Sequence, residues 1–251
     1  MVLDPYALHE AQVDLAAIRS NAASLIDGVD PERLVADLRA DAYGHGLAEA
    51  ASAVVDGGVR TLGVSSAEAA ATLRQLDLGA AIVSLRGGRV SPIAGVEPSR
   101  GVEIDSLIAS GPELYGLGDG FRPALRVRAR VVAIKRIAAG EGVSYGHTFI
   151  APRDTRLALV GIGYADGLDR SAGNRATAWC AGADRPIVGR VAMNASVLDT
   201  GSGIAAVGDH AVLLGDPTRG EPTAAGLAAQ LQKSASEIVT MLGSHLPRRY
   251  A

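Results

Sequence analysis

The sequence is poor in cysteine, in lysine and in long apolar runs. Cys180 is the one cysteine among 251 residues, so no disulfide can close within the chain, and a reducing compartment is expected. Lysine occurs only at Lys135 and Lys233, which leaves few side-chain amines for any chemistry that needs one. No apolar run approaches the ~18 residues of a membrane-crossing helix. The opening residues include Asp4, His9 and Glu10 and hold no apolar core segment, so no secretory signal is expected. These absences point to a soluble, cytoplasmic protein with no membrane partner. The formal net charge of −3, with no clustered basic face, argues against a nucleic-acid partner. His147, His210 and His245 lack metal-ligand spacing, and no metal site is expected.

What is present is globular: 48% of residues are hydrophobic and 20% charged, ample for a buried core. The first half alternates strand and helix signals. A short extended segment ends at Gln12-Val13, Asp14 caps a helix with apolar positions from Leu15 to Ile26, and Arg33 to Leu38 reads as a strand. A helix from Leu47 to Val55, a strand from Thr61 to Val64, a helix opened by Ser65-Ser66-Ala67-Glu68, and a strand from Ala80 to Leu85 stopped at Gly87-Gly88 complete the rhythm. Repeated βα units imply a parallel sheet. The rhythm fails over residues 89–121, where only Val102 to Ile104 and Leu114-Tyr115 look like brief strands.

From Leu125 the period changes to two: Leu125, Val127, Ala129 and Val131 alternate with Arg126, Arg128 and Arg130. This marks a half-buried strand with the arginines on a solvated face. Further strands are expected at 143–149, 156–161, 186–198 and 211–214, followed by helices from Thr223 to Leu231 and, after Ser234-x-x-Glu237, from Ala235 to Leu242. Cys180 beside Trp179 reads as a buried strand residue. The second half is β-rich, a small barrel or sandwich with helical additions. A boundary near Phe121 divides the chain into residues 1–121 and 122–251.

The motif Arg39-Ala40-Asp41-Ala42-Tyr43-Gly44-His45-Gly46 follows the second strand, at the end where a βα barrel places its active site. Downstream stand Ser144-Tyr145-Gly146-His147-Thr148, Ala151-Pro152-Arg153-Asp154-Thr155-Arg156, Gly161-Ile162-Gly163-Tyr164-Ala165-Asp166-Gly167, Pro186 to Asn194, and Leu246-Pro247-Arg248. Together, and in this order, they resemble the alanine racemase family over about residues 10–88 and 114–250. That resemblance implies a fold of α/β plus β class: a truncated, TIM-barrel-like βα N-terminal domain followed by the family's β-rich C-terminal domain. It implies pyridoxal 5'-phosphate as cofactor, an amino acid or phosphorylated small molecule as ligand, and a head-to-tail homodimer. The family holds the cofactor as a Schiff base on a lysine that is also one of two proton-transfer bases; a tyrosine of the partner subunit is the other.

Carried over position by position, the base tyrosine falls on Tyr164 and a phosphate-contacting tyrosine on Tyr43. A second phosphate-contacting tyrosine falls on Ser244. The family's Cys-Met-Asp appears as Ala192-Met193-Asn194, which puts Met193 and Asn194 on the substrate side with the carboxylate neutralised. The lysine falls on Arg39. A guanidinium stays protonated to pH above about 12, so Arg39 offers neither a free amine nor a base. Asp37, two positions earlier where the family usually has an apolar residue, is placed to pair with it. Length points the same way, since a closed eightfold βα barrel takes ~250 residues whereas 121 residues provide about four βα units. The central strands, with the family's substrate-binding arginine and the arginine facing the pyridine nitrogen, have no counterpart motif. Three readings follow: a working racemase, a shortened non-catalytic relative kept for its fold or dimer surface, and a small-molecule enzyme or binder independent of pyridoxal phosphate. The residues favour impaired or absent racemase activity.

Overall fold

The computed structural model describes residues 8–31, 33–86, 89–92 and 107–251. The strand expected at Val102 to Ile104 and the glycine stop at Gly87-Gly88 lie outside them. The chain divides into two units, one formed by residues up to Gln12 with Leu125–Arg249, the other by Val13–Ala124 with Tyr250–Ala251.

Strand β1 (His9–Val13) ends at Asp14, whose carboxylate accepts the Ala17 N–H at 2.8 Å and starts helix α1 (Leu15–Ile26). Strand β2 (Leu34–Asp37), helix α2 (Leu47–Asp56), strand β3 (Thr61–Val64), helix α3 (Ala67–Gln75) and strands β4 (Ala81–Arg86), β5 (Arg89–Pro92) and β6 (Ile108–Ser110) follow. Ser66 caps α3 through the Ala69 N–H. The sheet order is β5-β4-β3-β2-β6. Strands β6, β2, β3 and β4 are mutually parallel, and every residue of β2 and β3 is buried, as in sheets covered on both faces. A complete barrel would extend beyond β4 with another parallel strand. Here β5 takes that edge antiparallel, with Arg86 opposite Arg89.

The brief strand expected at Leu114-Tyr115 is instead a 3-10 turn, Pro112–Tyr115. Pro112 sits at its start and Gly116, at φ 73°, closes it, a combination that favours a turn over a ladder. Asn21 of α1 fastens this segment. Its Nδ2 donates to the main-chain oxygens of Leu114 (3.1 Å) and Arg122 (2.8 Å), and its Oδ1 accepts the Arg122 N–H (2.9 Å).

The other unit holds β7 (Leu125–Ile137), β8 (Gly142–Val143), β9 (Phe149–Ile150), β10 (Thr155–Val160), β11 (Thr177–Cys180), β12 (Ala183–Pro186), β13 (Ser196–Gly201), β14 (His210–Leu214), α4 (Ala224–Leu231), α5 (Ala235–His245) and most of β15 (Arg248–Tyr250). The sheet runs β12-β11-β14-β7-β1-β15, with β10 paired to both β7 and β13. Buried and half-buried positions alternate along β7 up to Val132. The arginines on its outer face are not simply solvated, however. Arg126 forks onto Glu221 at 2.6–3.1 Å and Arg128 meets Glu10 at 2.6 Å, because β7 is an internal strand, with Glu10 on the adjacent β1 and Glu221 in the segment that follows the adjacent β14. Two other expectations also change. The strand expected at 143–149 is two short strands, β8 and β9, separated by Ser144, Gly146 and His147 at positive φ. The strand expected at 186–198 is divided between β12 and β13 by a loop. Ser234 and Glu237 form the capping box that opens α5.

Candidate active site

Between β2 and α2 the chain makes a left-handed turn without glycine. Ala40, Asp41, Ala42 and Tyr43 have φ of 51°, 57°, 56° and 54°, and Gly44 continues at 81°. For ordinary residues this conformation costs roughly 1–2 kcal/mol each. Main-chain bonds from Ala42 to Leu38 (3.1 Å) and from Gly44 to Ala40 (3.0 Å) hold it. It also delivers Asp41 to the start of α2, where its Oδ1 accepts the Leu47 N–H at 2.7 Å. Gly46, the residue at the cap position, has no side chain to do this.

The turn folds Arg39 and Tyr43 back onto Asp37 at the end of β2. Arg39 donates from Nε to Asp37 Oδ1 (2.9 Å) and from Nη2 to Oδ2 (2.6 Å), and its main-chain N–H donates to Oδ1 (3.1 Å). Tyr43 Oη donates to Oδ2 at 2.9 Å. The ion pair expected from the spacing therefore forms, although Arg39 lies beyond the strand. Asp37 is almost enclosed, with 4% of its side chain exposed, while 38% of the Arg39 side chain reaches solvent. Beneath the pair, buried Tyr115 donates to the Asp37 main-chain oxygen at 2.9 Å and stacks on His45 with ring centroids 4.4 Å apart. Gly111 closes the side: a Cβ there would fall 2.6 Å from Tyr43 Oη.

The electrostatics follow from this packing. The Asp37 hydrogen bond holds Arg39 still more firmly protonated than usual. Burial, with the Asp37 charge adding to it, pushes the Tyr43 phenol up to about 12, and burial raises Tyr115 well above its ordinary value. Both phenols are neutral donors near neutral pH. The arrangement is a carboxylate saturated with donors beside a partly exposed guanidinium. It can present a cation to an anion, but it contains no amine.

Tyr164, Met193, Asn194 and Ser244 belong to the other unit. Tyr164–Asp166 form a 3-10 turn tied to the Met193 loop, with Tyr164 N–H donating to Ala192 O (3.0 Å) and Ala165 N–H to Met193 O (2.9 Å). This approach needs Gly163, since a Cβ there would lie 2.3 Å from both oxygens. The structure thus brings Tyr164 beside Met193 and Asn194. All three are exposed, as is Tyr145. Arg170 lies 5.2 Å from the Tyr164 ring centroid and Arg190 5.6 Å from that of Tyr145, within cation–π range. Ser244 is exposed on α5, the helix whose Met241 main chain packs against Gly167 after the Tyr164 turn. Sequence reasoning missed Tyr115, Gly111, Arg170 and Arg190 as parts of these clusters. Tyr145 lies inside one of the motifs but has no role assigned by it; Tyr115 belongs to no motif at all.

The profile of the alanine racemase N-terminal domain matches residues 13–110, and that of the alanine racemase C-terminal domain matches residues 124–250. The alanine racemase of Salinispora arenicola is 31% identical over an alignment of 364 positions that takes in 96% of this chain and 98% of that protein. An alignment longer than the 251 residues passes over a stretch that this chain lacks. The alanine racemase of Thermobifida fusca is 42% identical over 151 residues, covering 57% of this chain and 40% of that protein; the chain matches less than half of that relative's length. Among solved structures, the alanine racemase from D-cycloserine-producing Streptomyces lavendulae superposes with a TM-score of 0.83 at 27% identity, over 98% of this chain and 97% of that one. The alanine racemase from Bartonella henselae, solved with covalently bound pyridoxal phosphate, gives a TM-score of 0.83 at 20% identity, over 98% and 100%, a likeness of fold alone.

Proposed function

This chain belongs to the alanine racemase family, and we propose that it is a shortened member in which the family's reaction, the pyridoxal phosphate-dependent interconversion of L- and D-alanine, is impaired or absent. The observation that carries this reading is the closed pair of Arg39 and Asp37. The cofactor's aldehyde needs a primary amine to attach to, and a guanidinium engaged with a carboxylate on two nitrogens is not one. The Tyr43 phenol, the phosphate contact by resemblance, is turned to the same carboxylate. The residues present therefore do not fit a covalently tethered cofactor. In the family one lysine supplies both the tether and a proton-transfer base, so a single replacement removes two functions.

We place the family's roles on this chain as remnants: Tyr164 and Arg39 at the catalytic positions, Tyr43 and Ser244 on the phosphate side, Met193 and Asn194 on the substrate side. The domain boundary is put near residue 121, the location in the cytoplasm, and the assembly as a homodimer. A second reading, a binder of carboxylated or phosphorylated small molecules without amine chemistry, is favoured by the 38% exposure of the Arg39 side chain. A third keeps the chain only for its fold and dimer surface.

The test is to incubate the pure protein with pyridoxal phosphate, follow the aldimine absorption band, reduce with borohydride and map the labelled peptides, while D-alanine formation is measured alongside. The expected result is no label on the peptide containing residue 39 and racemisation at background. Any trapped label falls on Lys135, Lys233 or the α-amino group of the chain. Robust racemisation by the pure chain, free of host enzyme, overturns the reading.

A further inference from the structure

We infer that Asp37, and not Arg39 alone, decides what chemistry position 39 can carry: its enclosed carboxylate demands a cation there, so that an amine installed at that position is held protonated and unreactive. This rests on the reading above and extends it, because it makes the loss of amine chemistry a two-residue lock that restoring lysine does not open.

The argument is geometric. Asp37 sits at the end of β2 with its side chain almost out of contact with water. Its two oxygens accept from Arg39 N, Nε and Nη2 and from Tyr43 Oη. An enclosed carboxylate left without a positive partner is strongly disfavoured. The bond from the Arg39 main-chain N–H places the carboxylate at the root of the side chain at position 39, whatever that side chain is. In arginine the Nε occupies the position that Cε takes in lysine. An ammonium one bond further out thus falls beside the oxygen that now receives Nη2. Among the described residues, the other charged or titratable groups around this point do not offset Asp37. Tyr43 from the left-handed turn and Tyr115 from the Pro112–Tyr115 turn are neutral phenols with raised pKa. Asp41 of the same turn is also acidic and points its Oδ1 to the Leu47 N–H. His45 is stacked on Tyr115. Among the described residues, Asp37 is the charged group that acts on position 39, through both its hydrogen bond and its charge.

The lock also holds Tyr43. As long as Asp37 Oδ2 accepts the phenol, that donor is not turned outward to an anion. Removing the charge at position 37 therefore weakens the hold on both groups at once.

The experiment compares Arg39→Lys with the double variant Asp37→Asn/Arg39→Lys, in which asparagine keeps the shape of the carboxylate and removes its charge. Each full-length protein is treated at pH 8 with an amine-acylating reagent, and modification at residue 39 is followed by peptide mass spectrometry. Lys135 and Lys233, the two other lysines, serve as internal references. An opposite charge in contact shifts such an equilibrium by one pH unit or more, so the amine of the single variant is expected to react at least about tenfold more slowly than that of the double variant. Equal rates overturn the proposal. Circular dichroism checks that both are folded. Should either unfold, the same question is put to Arg39 itself, by comparing its modification by phenylglyoxal in the wild-type chain and in Asp37→Asn. Faster modification in Asp37→Asn supports the lock and an unchanged rate overturns it. The two failures are separable: racemisation by the wild-type chain sinks the proposed loss of function, whereas equal amine reactivity sinks only the role of Asp37.

Discussion

Asn21 and Tyr43 each do more than their positions in the sequence suggest. Asn21 stands on the buried face of α1, where periodicity expects an apolar residue, and ties down the Pro112–Tyr115 turn and Arg122 by three hydrogen bonds. Truncating it strands buried main-chain groups, so Asn21→Ala is expected to lose about 2–3 kcal/mol of stability, read as a lower urea midpoint at unchanged slope. Tyr43 yields a prediction in pH. Its phenol is raised to about 12 in the fold against an ordinary value of 10.0. The folded protein thus keeps a proton that the unfolded chain sheds, and the associated stability is whole below pH 10 and lost as pH rises through about 12. The urea midpoint should fall across that window, and fall less steeply in Tyr43→Phe; Tyr115, shifted in the same direction, keeps part of the slope. Identical slopes in the two proteins would remove Tyr43 from the account. Of this site, Arg39, Tyr43 and Asp37 were legible because they lie within seven residues of one another and because arginine chemistry is independent of context. Tyr115 was not, since it reaches Asp37 across 78 residues of sequence and no local pattern announces such a contact.

At the level of elements, the sequence signals were clearest where a cap and a period agreed. Asp14 before α1, Ser66 before α3 and the Ser234–Glu237 box before α5 all cap as their residue types require. The signals misled where apolar residues lay in turns: Leu114 and Tyr115 are buried in a turn packed on α1 and on the rings of Tyr43 and His45, not in a ladder, and the chain turns at positive φ at Ser144, Gly146 and His147 instead of extending. The left-handed turn at Ala40–Tyr43 was equally hidden, because alanine has no preference for that conformation and glycine begins only at Gly44. Its strain can be measured. Ala40 is exposed at φ 51°. Ala40→Gly relieves the steric cost of a left-handed alanine while loosening the unfolded chain, for a net gain of about 0.5–1 kcal/mol. The same substitution in a right-handed helix costs about 1 kcal/mol. A destabilised Ala40→Gly in urea titration would mean that the turn is not strained. Asp41→Ala, which leaves the start of α2 without its cap, is expected to cost about 1 kcal/mol.

The molecule as a whole carries the mark of what it lacks. Profiles for both domains match, yet among the described residues the parallel sheet ends at β5 on one side and β6 on the other where a full barrel would close. Antiparallel β5 blocks the outward edge of β4 against further parallel strands, a way of finishing a sheet that loses its next neighbour. The β-rich unit retains an exposed group of the kind found at subunit contacts: Tyr145 and Tyr164 with Arg190 and Arg170 at their rings, and Met193 at 56% exposure. If the chain is a homodimer, as we propose, these side chains are buried in it. Light scattering coupled to size exclusion should then give twice the chain mass, and Tyr145→Ala with Met193→Ala should raise the dissociation constant at least about tenfold, the effect of removing well-buried interface side chains worth about 1–2 kcal/mol or more together. Far-ultraviolet circular dichroism unchanged by the double substitution would locate the effect at the interface and not in the fold. A wild-type chain that remains a single soluble subunit at all concentrations would sink the dimer while leaving the chemistry of Asp37 and Arg39 untouched, since the hydrogen bonds that join Asp37 to Arg39, Tyr43 and Tyr115 lie within the unit Val13–Ala124.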